Sequence, residues 1–337
     1  MSRAVKQTVR FGILGAGRIA HDLMKDLTFT TEAKAIAVGS RSQQSAQAFA
    51  DTYDLPYAYG SYEELVQNPE VDVIYVATPH TFHASHALLA IEAGKAVLCE
   101  KPFTVNAAEL QKVIEAARKK RVFVMEAMWS RYVPVLQKVK TWIDEGKIGE
   151  LLMLKADFGF QTPKDPKGRL FDRTLGGGAL LDIGIYPVSF ASFLFGKQPD
   201  AIKSFVHLGD TGVDEQFSLL FSYENGATAV LSGAIRLTLR NEATLFGTKG
   251  SIYIPEPFYA AKKAIITYYD GGSEEITDSS KCHGYVYEAE EVKQCLDDGM
   301  LESPVMPLEE SLAIMQTLDR IRADWGLTYP YEEESFR

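Results

Sequence analysis

In the first third of the chain, short apolar runs alternate with segments whose apolar residues recur at helical spacing. Val9–Leu14, Ala33–Gly39, Val71–Ala77, Ala96–Cys99 and Val122–Glu126 read as strands. Between them Arg18–Asp26, SQQSAQAFAD from Ser42, HASHALLAIEAG from His83 and NAAELQKVIEAARKK from Asn106 read as helices. Ser61 with Glu64 three residues later has the form of a capping box. Strands alternating with helices of this length build parallel βαβ units. In open sheets of that kind a ligand binds beyond the carboxyl ends of the strands.

The pattern changes near residue 127. Met128–Gly146 reads as a loop running into an amphipathic helix, and Leu151–Phe160 alternates as a strand. IKSFVHLG, QFSLLFSYENG, TAVLSGAIR, EATLFGTKGSIYI and KAIITYYDGG are β-rich with hairpin-like turns. They predict an antiparallel sheet of at least five strands, covered by helices on one face and open on the other. ESLAIMQTLDRIRADWG is a late amphipathic helix. The expected architecture is α/β plus α+β. Residues 1–126 form a doubly wound parallel sheet, and residues 127–337 form a domain on a large, mostly antiparallel open sheet. The last helix is free to pack back on the first domain.

Length and charge sharpen this picture. At 337 residues the chain is too long for one simple core, so two domains are expected. A formal net charge of -10 argues against nucleic acid or an anionic membrane as a general partner. Cys99, Cys282 and Cys295 have neither metal-ligand spacing nor a disulfide framework, as in a reducing compartment. VRFGIL begins almost at once, no leader is recognisable, and no apolar run reads as a membrane span, so a cytoplasmic protein is expected.

Four strand ends carry chemistry. GAGRIA, Gly15 to Ala20, lies between a strand and a helix: Gly15 permits the tight turn, and Gly17 lets the amides of Arg18 and Ile19 approach a pyrophosphate. At the second strand end an NAD site usually places a carboxylate, which would repel a 2′-phosphate. This chain has Ser40, Arg41 and Ser42 there, and Arg41 can fork onto that phosphate, so NADP is favoured over NAD. The competing reading is a solvated loop arginine after a serine N-cap. At the third end, Thr78 and Pro79 turn the chain over the cofactor site and His80 would face it; His80, His83 and His86 lack a convergent partner, so no metal is expected. The fourth end is Glu100, Lys101 and Pro102, where Lys101 would meet a nicotinamide and a substrate oxygen. Whether the Lys101–Pro102 bond is cis stays open at this level.

The segment LGGGALLDIGIYPVSFASFLFG, Leu175 to Gly196, is apolar nearly all round and should be buried. Asp182 within it is costly unless paired, and Tyr186 lies one helical turn on, in a helix that Gly184 and Pro187 make irregular. The alternative for Asp182 is a structural cap beside a glycine turn.

GAGRIA, EKP and GGGALLDIGIY together resemble the Gfo/Idh/MocA oxidoreductase family, over nearly the whole chain. Many members carry His where this chain has Tyr186. The tyrosine, with RLFD before it, is similar to the branch of dimeric trans-dihydrodiol dehydrogenases and NADP-dependent D-xylose dehydrogenases. The resemblance implies that Lys101 is catalytic and acts with Tyr186, that Asp182 orients them or the substrate, and that Glu100 and Lys101 border the cofactor. Trp129 and Arg131 match a family pattern, and Phe158, Phe160 and Arg169 are further candidates for the pocket wall. A phenol has an ordinary pKa of about 10, and a nearby ammonium would favour its phenolate.

The resulting expectation is an NADP-dependent enzyme that moves hydride between nicotinamide and a secondary alcohol or carbonyl of a sugar or trans-dihydrodiol. Its oligomer would be a homodimer or homotetramer formed through the open sheet. Another sugar or inositol dehydrogenase of the family is the second reading. A non-catalytic NADP-binding regulator is the third, and such a protein has no need of Lys101, Asp182 and Tyr186 together.

Overall fold

The computed structural model describes residues 8–334. Residues 1–7, where the search for a leader fell, lie outside the described residues. The chain divides into two compact units, Met1–Tyr132 with Lys281–Leu312, and Val133–Ser280 with Ala313–Arg337. This corrects the single expected boundary at 126/127, because Lys281–Leu312 returns to the first unit. The cause is local. Asp26, fully buried at the end of the first helix, accepts from the amides of His283, Gly284 and Tyr285 at 2.8–2.9 Å. A carboxylate at those amides caps the helix Tyr285–Asp297 and complements its dipole.

The first unit is a six-stranded parallel sheet in the order β3-β2-β1-β4-β5-β6. Its strands are β1 (Val9–Leu14), β2 (Ala33–Gly39), β3 (Tyr57–Tyr59), β4 (Val73–Val76), β5 (Ala96–Glu100) and β6 (Val124–Ala127). Between them run α1 (Arg18–Asp26), α2 (Gln43–Tyr53), α3 (Tyr62–Gln67), α4 (His83–Glu92) and α5 (Ala107–Lys120). The caps are in the sequence: Ser42, Ser61 and Asn106 each accept from the amide three residues on. β4 and β5 are buried at every position, as strands covered on both faces must be. The edge strand β3 was missed, since its three residues carry no periodicity of their own.

The second unit is an eight-stranded sheet in the order β14-β13-β12-β11-β7-β10-β9-β8. Here β7 is Leu151–Gly159, β8 Ala201–Leu208, β9 Asp214–Ser222, β10 Thr228–Ala234, β11 Ala243–Gly247, β12 Gly250–Ile254, β13 Lys263–Tyr268 and β14 Ser273–Thr277. All pairs are antiparallel except β7 with β10. The helices of this unit include α6 (Pro134–Asp144) and α7 (Ile185–Phe195). One sheet face buries Phe217, Leu219, Phe221 and Leu231, each at 2 % exposure or less and worth about 1.5–3 kcal/mol of burial. The alternate positions leave Phe205, Leu220 and Val230 exposed, with Leu220 directly opposite Val230.

The helical stretch Arg173–Phe195 corrects one expectation: by length and composition it could cross a membrane. Its apolar window is 94 % buried inside the protein, which accounts for the composition as core packing.

Candidate active site

In the first unit, Gly15 has φ +106°, and a Cβ there would lie 2.9 Å from the Ala77 carbonyl oxygen, so only glycine fits. Gly17, the N-cap of α1, is extended, and a Cβ there would meet nothing nearer than that oxygen at 3.8 Å. Arg18 and Ile19 open α1 with no acidic residue in the first turn and no side-chain cap. These features fit a dinucleotide: backbone amides at a helix N-terminus, with open space above a glycine for its phosphates.

At the end of β2, the Ser40 amide donates to Tyr59, and the Ser42 hydroxyl caps α2 through Ser45 at 3.4 Å. Arg41 is exposed and carries its charge beside Tyr62 and His86. Beyond β4, Thr78 Oγ1 meets His86 Nδ1 at 2.9 Å, and His80 is buried. His83 turns both ring nitrogens toward carbonyl oxygens, Nδ1 to Pro102 at 2.8 Å and Nε2 to Thr78 at 2.7 Å, and a neutral ring donates to one of the two. Burial, reinforced by repulsion from His80, drives its pKa down to about 3, so the ring is neutral. Among the described residues no group of three or more His, Cys, Asp or Glu is arranged to hold a metal.

At the end of β5, Glu100 is buried and accepts from the Tyr75 hydroxyl and, at 3.2 Å, from the Lys101 amide. The Lys101–Pro102 bond is cis. Thus His83 lies between the backbone beside Lys101 and the turn after β4, two strand ends of the first unit. Trp129 packs on Tyr285 with ring centroids 5.0 Å apart, a contact the sequence did not announce. Arg131 is buried and ion-paired with Glu310 at 2.7 Å.

In the second unit, Leu180–Gly184 is a π-helical turn leading directly into α7, the irregularity anticipated from Gly184 and Pro187. It carries buried Asp182, and α7 carries buried Tyr186. Arg169 forks onto Asp182 at 2.7 and 3.2 Å. Burial alone would lower the guanidinium pKa, but the charge and hydrogen bonds of Asp182 raise it on balance. Tyr186 sits 5.4 Å from the Phe158 ring and 5.3 Å from Tyr259, while Phe158 and Tyr259 stack at 4.1 Å. Phe160 extends the group, 6.2 Å from Phe158. Tyr259 was missed: it comes from the turn Phe258–Ala260, and only the long-range fold brings it to β7.

A nucleotide cradle on a parallel sheet and a buried phenol beside a carboxylate–guanidinium pair define an NAD(P)-dependent dehydrogenase acting on CH–OH groups. Residues 9–128 match the model of the oxidoreductase family with an NAD-binding Rossmann fold, and residues 136–253 match the GFO/IDH/MocA C-terminal domain. The chain belongs to the Gfo/Idh/MocA oxidoreductase family. It is 39% identical over 333 residues to trans-1,2-dihydrobenzene-1,2-diol dehydrogenase of Xenopus tropicalis, covering 95% of this chain and 99% of that one. With the Homo sapiens enzyme of the same name the identity is 37% over 343 residues, covering 96% and 99%. Among solved structures it is similar to aldose-aldose oxidoreductase from Caulobacter crescentus, with TM-score 0.85 at 24% identity, covering 94% of this chain and 97% of that one. It is also similar to KijD10, a 3-ketoreductase from Actinomadura kijaniata crystallised with NADP and TDP-benzene, with TM-score 0.82 at 25% identity and the same coverage.

Proposed function

We propose that this protein is an NADP-dependent dehydrogenase of a secondary alcohol in a trans-dihydrodiol or a sugar, with Tyr186 and Lys101 handling the proton. The observation that carries the reading is Tyr186: a buried phenol among Phe158 and Tyr259, next to the Arg169–Asp182 pair. The Xenopus tropicalis and Homo sapiens relatives, similar over 95–96% of this chain, are trans-1,2-dihydrobenzene-1,2-diol dehydrogenases. Bound nicotinamide supplies the hydride acceptor or donor. As the phenolate that an ammonium favours, Tyr186 takes the hydroxyl proton as the C–H bond breaks, and as the phenol it returns that proton in the reverse direction. The Lys101 ammonium stabilises negative charge on the substrate oxygen. Asp182, held by Arg169, keeps the turn and its neighbouring phenol oriented. Stacked Phe158 and Tyr259 offer an apolar face to a ring.

NADP is favoured because the end of β2 offers Ser40, Arg41 and Ser42 where an NAD site would have a carboxylate. The exposed Phe205, Leu220 and Val230 make the open sheet face the surface for a homodimer or homotetramer. Three free cysteines fit a reducing, cytoplasmic setting.

The test is initial-rate oxidation of D-xylose, D-glucose, a trans-dihydrodiol and myo-inositol, each with NADP and with NAD. NADP-dependent turnover of the dihydrodiol or xylose is expected. Preference for NAD overturns the cofactor assignment alone. NADP binding without turnover of any of the four overturns the substrate assignment and favours the regulator.

A further inference from the structure

Asp214 is a buried carboxylate with no part in the scheme above. It opens β9 and is fully buried. Its Oδ2 accepts from the Leu180 amide at 2.6 Å, and Leu180 is the first residue of the π-helical turn that carries Asp182 and runs into Tyr186. That turn has no side-chain cap of its own: Ala179 precedes it in helical conformation. Asp214 supplies the missing acceptor from a different element, where the helix dipole favours negative charge.

The approach is close enough to shape the sequence. Gly178 has φ +129°, and a Cβ there would lie 2.0 Å from Asp214 Oδ1. No other residue fits between the carboxylate and the turn. The late chain braces the same place. Tyr329, fully buried, donates its hydroxyl hydrogen to the Gly177 carbonyl at 3.1 Å. Arg322 lies over the Tyr329 ring at 4.9 Å and forks onto Glu332 at 2.9 Å. The glycine run is therefore fixed from both sides, by a strand and by the chain's last described segment.

We propose that Asp214 is a positioning residue for the dehydrogenase reaction, holding the start of the turn that carries Asp182 and Tyr186; this rests on the reading that those side chains act on the substrate. A cap that only stabilised the fold would change melting temperature and leave turnover alone. A cap that sets the phenol's position changes kcat, because a shift of about 1 Å at a reacting group can cost about a hundredfold.

The experiment uses the full chain as Asp214→Ala, Asp214→Asn and Tyr329→Phe, each alone and with Tyr186→Phe. It reads kcat and KM for the best substrate of the panel, NADP affinity by fluorescence titration, and melting temperature. Asp214→Ala should lower kcat about tenfold or more, with KM within about threefold and NADP affinity within about twofold. Asp214→Asn, which keeps an acceptor for the Leu180 amide, should recover most of the loss. In the Tyr186→Phe background Asp214→Ala should add little, because the group it positions is already gone. Wild-type kcat in Asp214→Ala, or a loss that multiplies fully with Tyr186→Phe, overturns the proposal. If Asp214→Ala does not fold, Tyr329→Phe decides: kcat about threefold lower at constant KM supports the brace, and unchanged kcat overturns it. Wild-type kcat in Tyr186→Phe alone sinks the underlying reading, separately from anything Asp214 shows.

Discussion

Arg169 grips Asp182 with both arms of its guanidinium, Nη1 to Oδ1 at 2.7 Å and Nη2 to Oδ2 at 3.2 Å. The Asp182 side chain is 9% exposed and that of Arg169 55%, so the pair joins a buried carboxylate to a cation at the surface. Removing the cation leaves the carboxylate desolvated without this partner, which is costlier than losing an exposed pair. Arg169→Ala should therefore cost about 1–2 kcal/mol of stability, discounted for the exposed arginine, and lower kcat/KM about tenfold or more. Arg169→Lys should recover only part, since an ammonium cannot fork. Calorimetry with steady-state kinetics checks both. Equal activity of Arg169→Lys and wild type would show that the fork is irrelevant.

The phenol makes a sharper demand. General acid–base catalysis contributes about 10²–10⁴-fold, so Tyr186→Phe should lower kcat by at least about a hundredfold with KM changed only slightly. The ring packing against Phe158 and Tyr259 is kept by Phe, so the melting temperature should hardly move. If the variant retains most of the wild-type kcat, proton transfer belongs to another group.

Arg41 decides the cofactor. Hydrogen bonds to charged groups are worth about 1.5–3 kcal/mol, so Arg41→Ala should weaken NADP binding about 10- to 100-fold. NAD, lacking the 2′-phosphate, should change by no more than about threefold. Dissociation constants measured for both nucleotides separate the cases, and a parallel loss for both would make Arg41 a residue of general binding.

Much of this was legible along the chain. β1, α1 and β2 follow the expected bounds because a strand buried on both faces and a glycine turn are local statements. The glycines at Gly15 and Gly17 and the Ser42 and Ser61 caps are local too. What could not be read depends on distant segments. Tyr259 reaches Phe158 across about a hundred residues of sequence, and Asp26 finds its amides at 283–285. The π-helical turn was visible only as an irregularity, because Gly184 and Pro187 disfavour a regular helix without saying which alternative replaces it. Arg131 carried a pattern for the pocket, yet its burial against Glu310 comes from the return of Lys281–Leu312.

Two buried groups of the first unit titrate with opposite signs, which makes the pH dependence of stability diagnostic. Glu126 is fully enclosed; burial lifts its pKa from 4.5 to about 7 although the Phe103 amide donates to it at 3.0 Å. Between these values the folded chain holds a proton that the unfolded chain has lost, so stability falls as pH rises through the window. The full swing is about 3 kcal/mol. His83 runs the other way. Its pKa drops from 6.5 to about 3, so between these values the unfolded chain binds the proton and stability falls as pH falls. Calorimetric melting of wild type, Glu126→Gln and His83→Gln from pH 5 to 8 reads both. Relative to wild type, Glu126→Gln should gain stability as pH rises. His83→Gln, destabilised throughout by the loss of a ring between two carbonyls, should recover about 2 kcal/mol of its deficit between pH 7 and 5. A difference from wild type that stays constant with pH in either variant would mean that the residue does not change its protonation on folding.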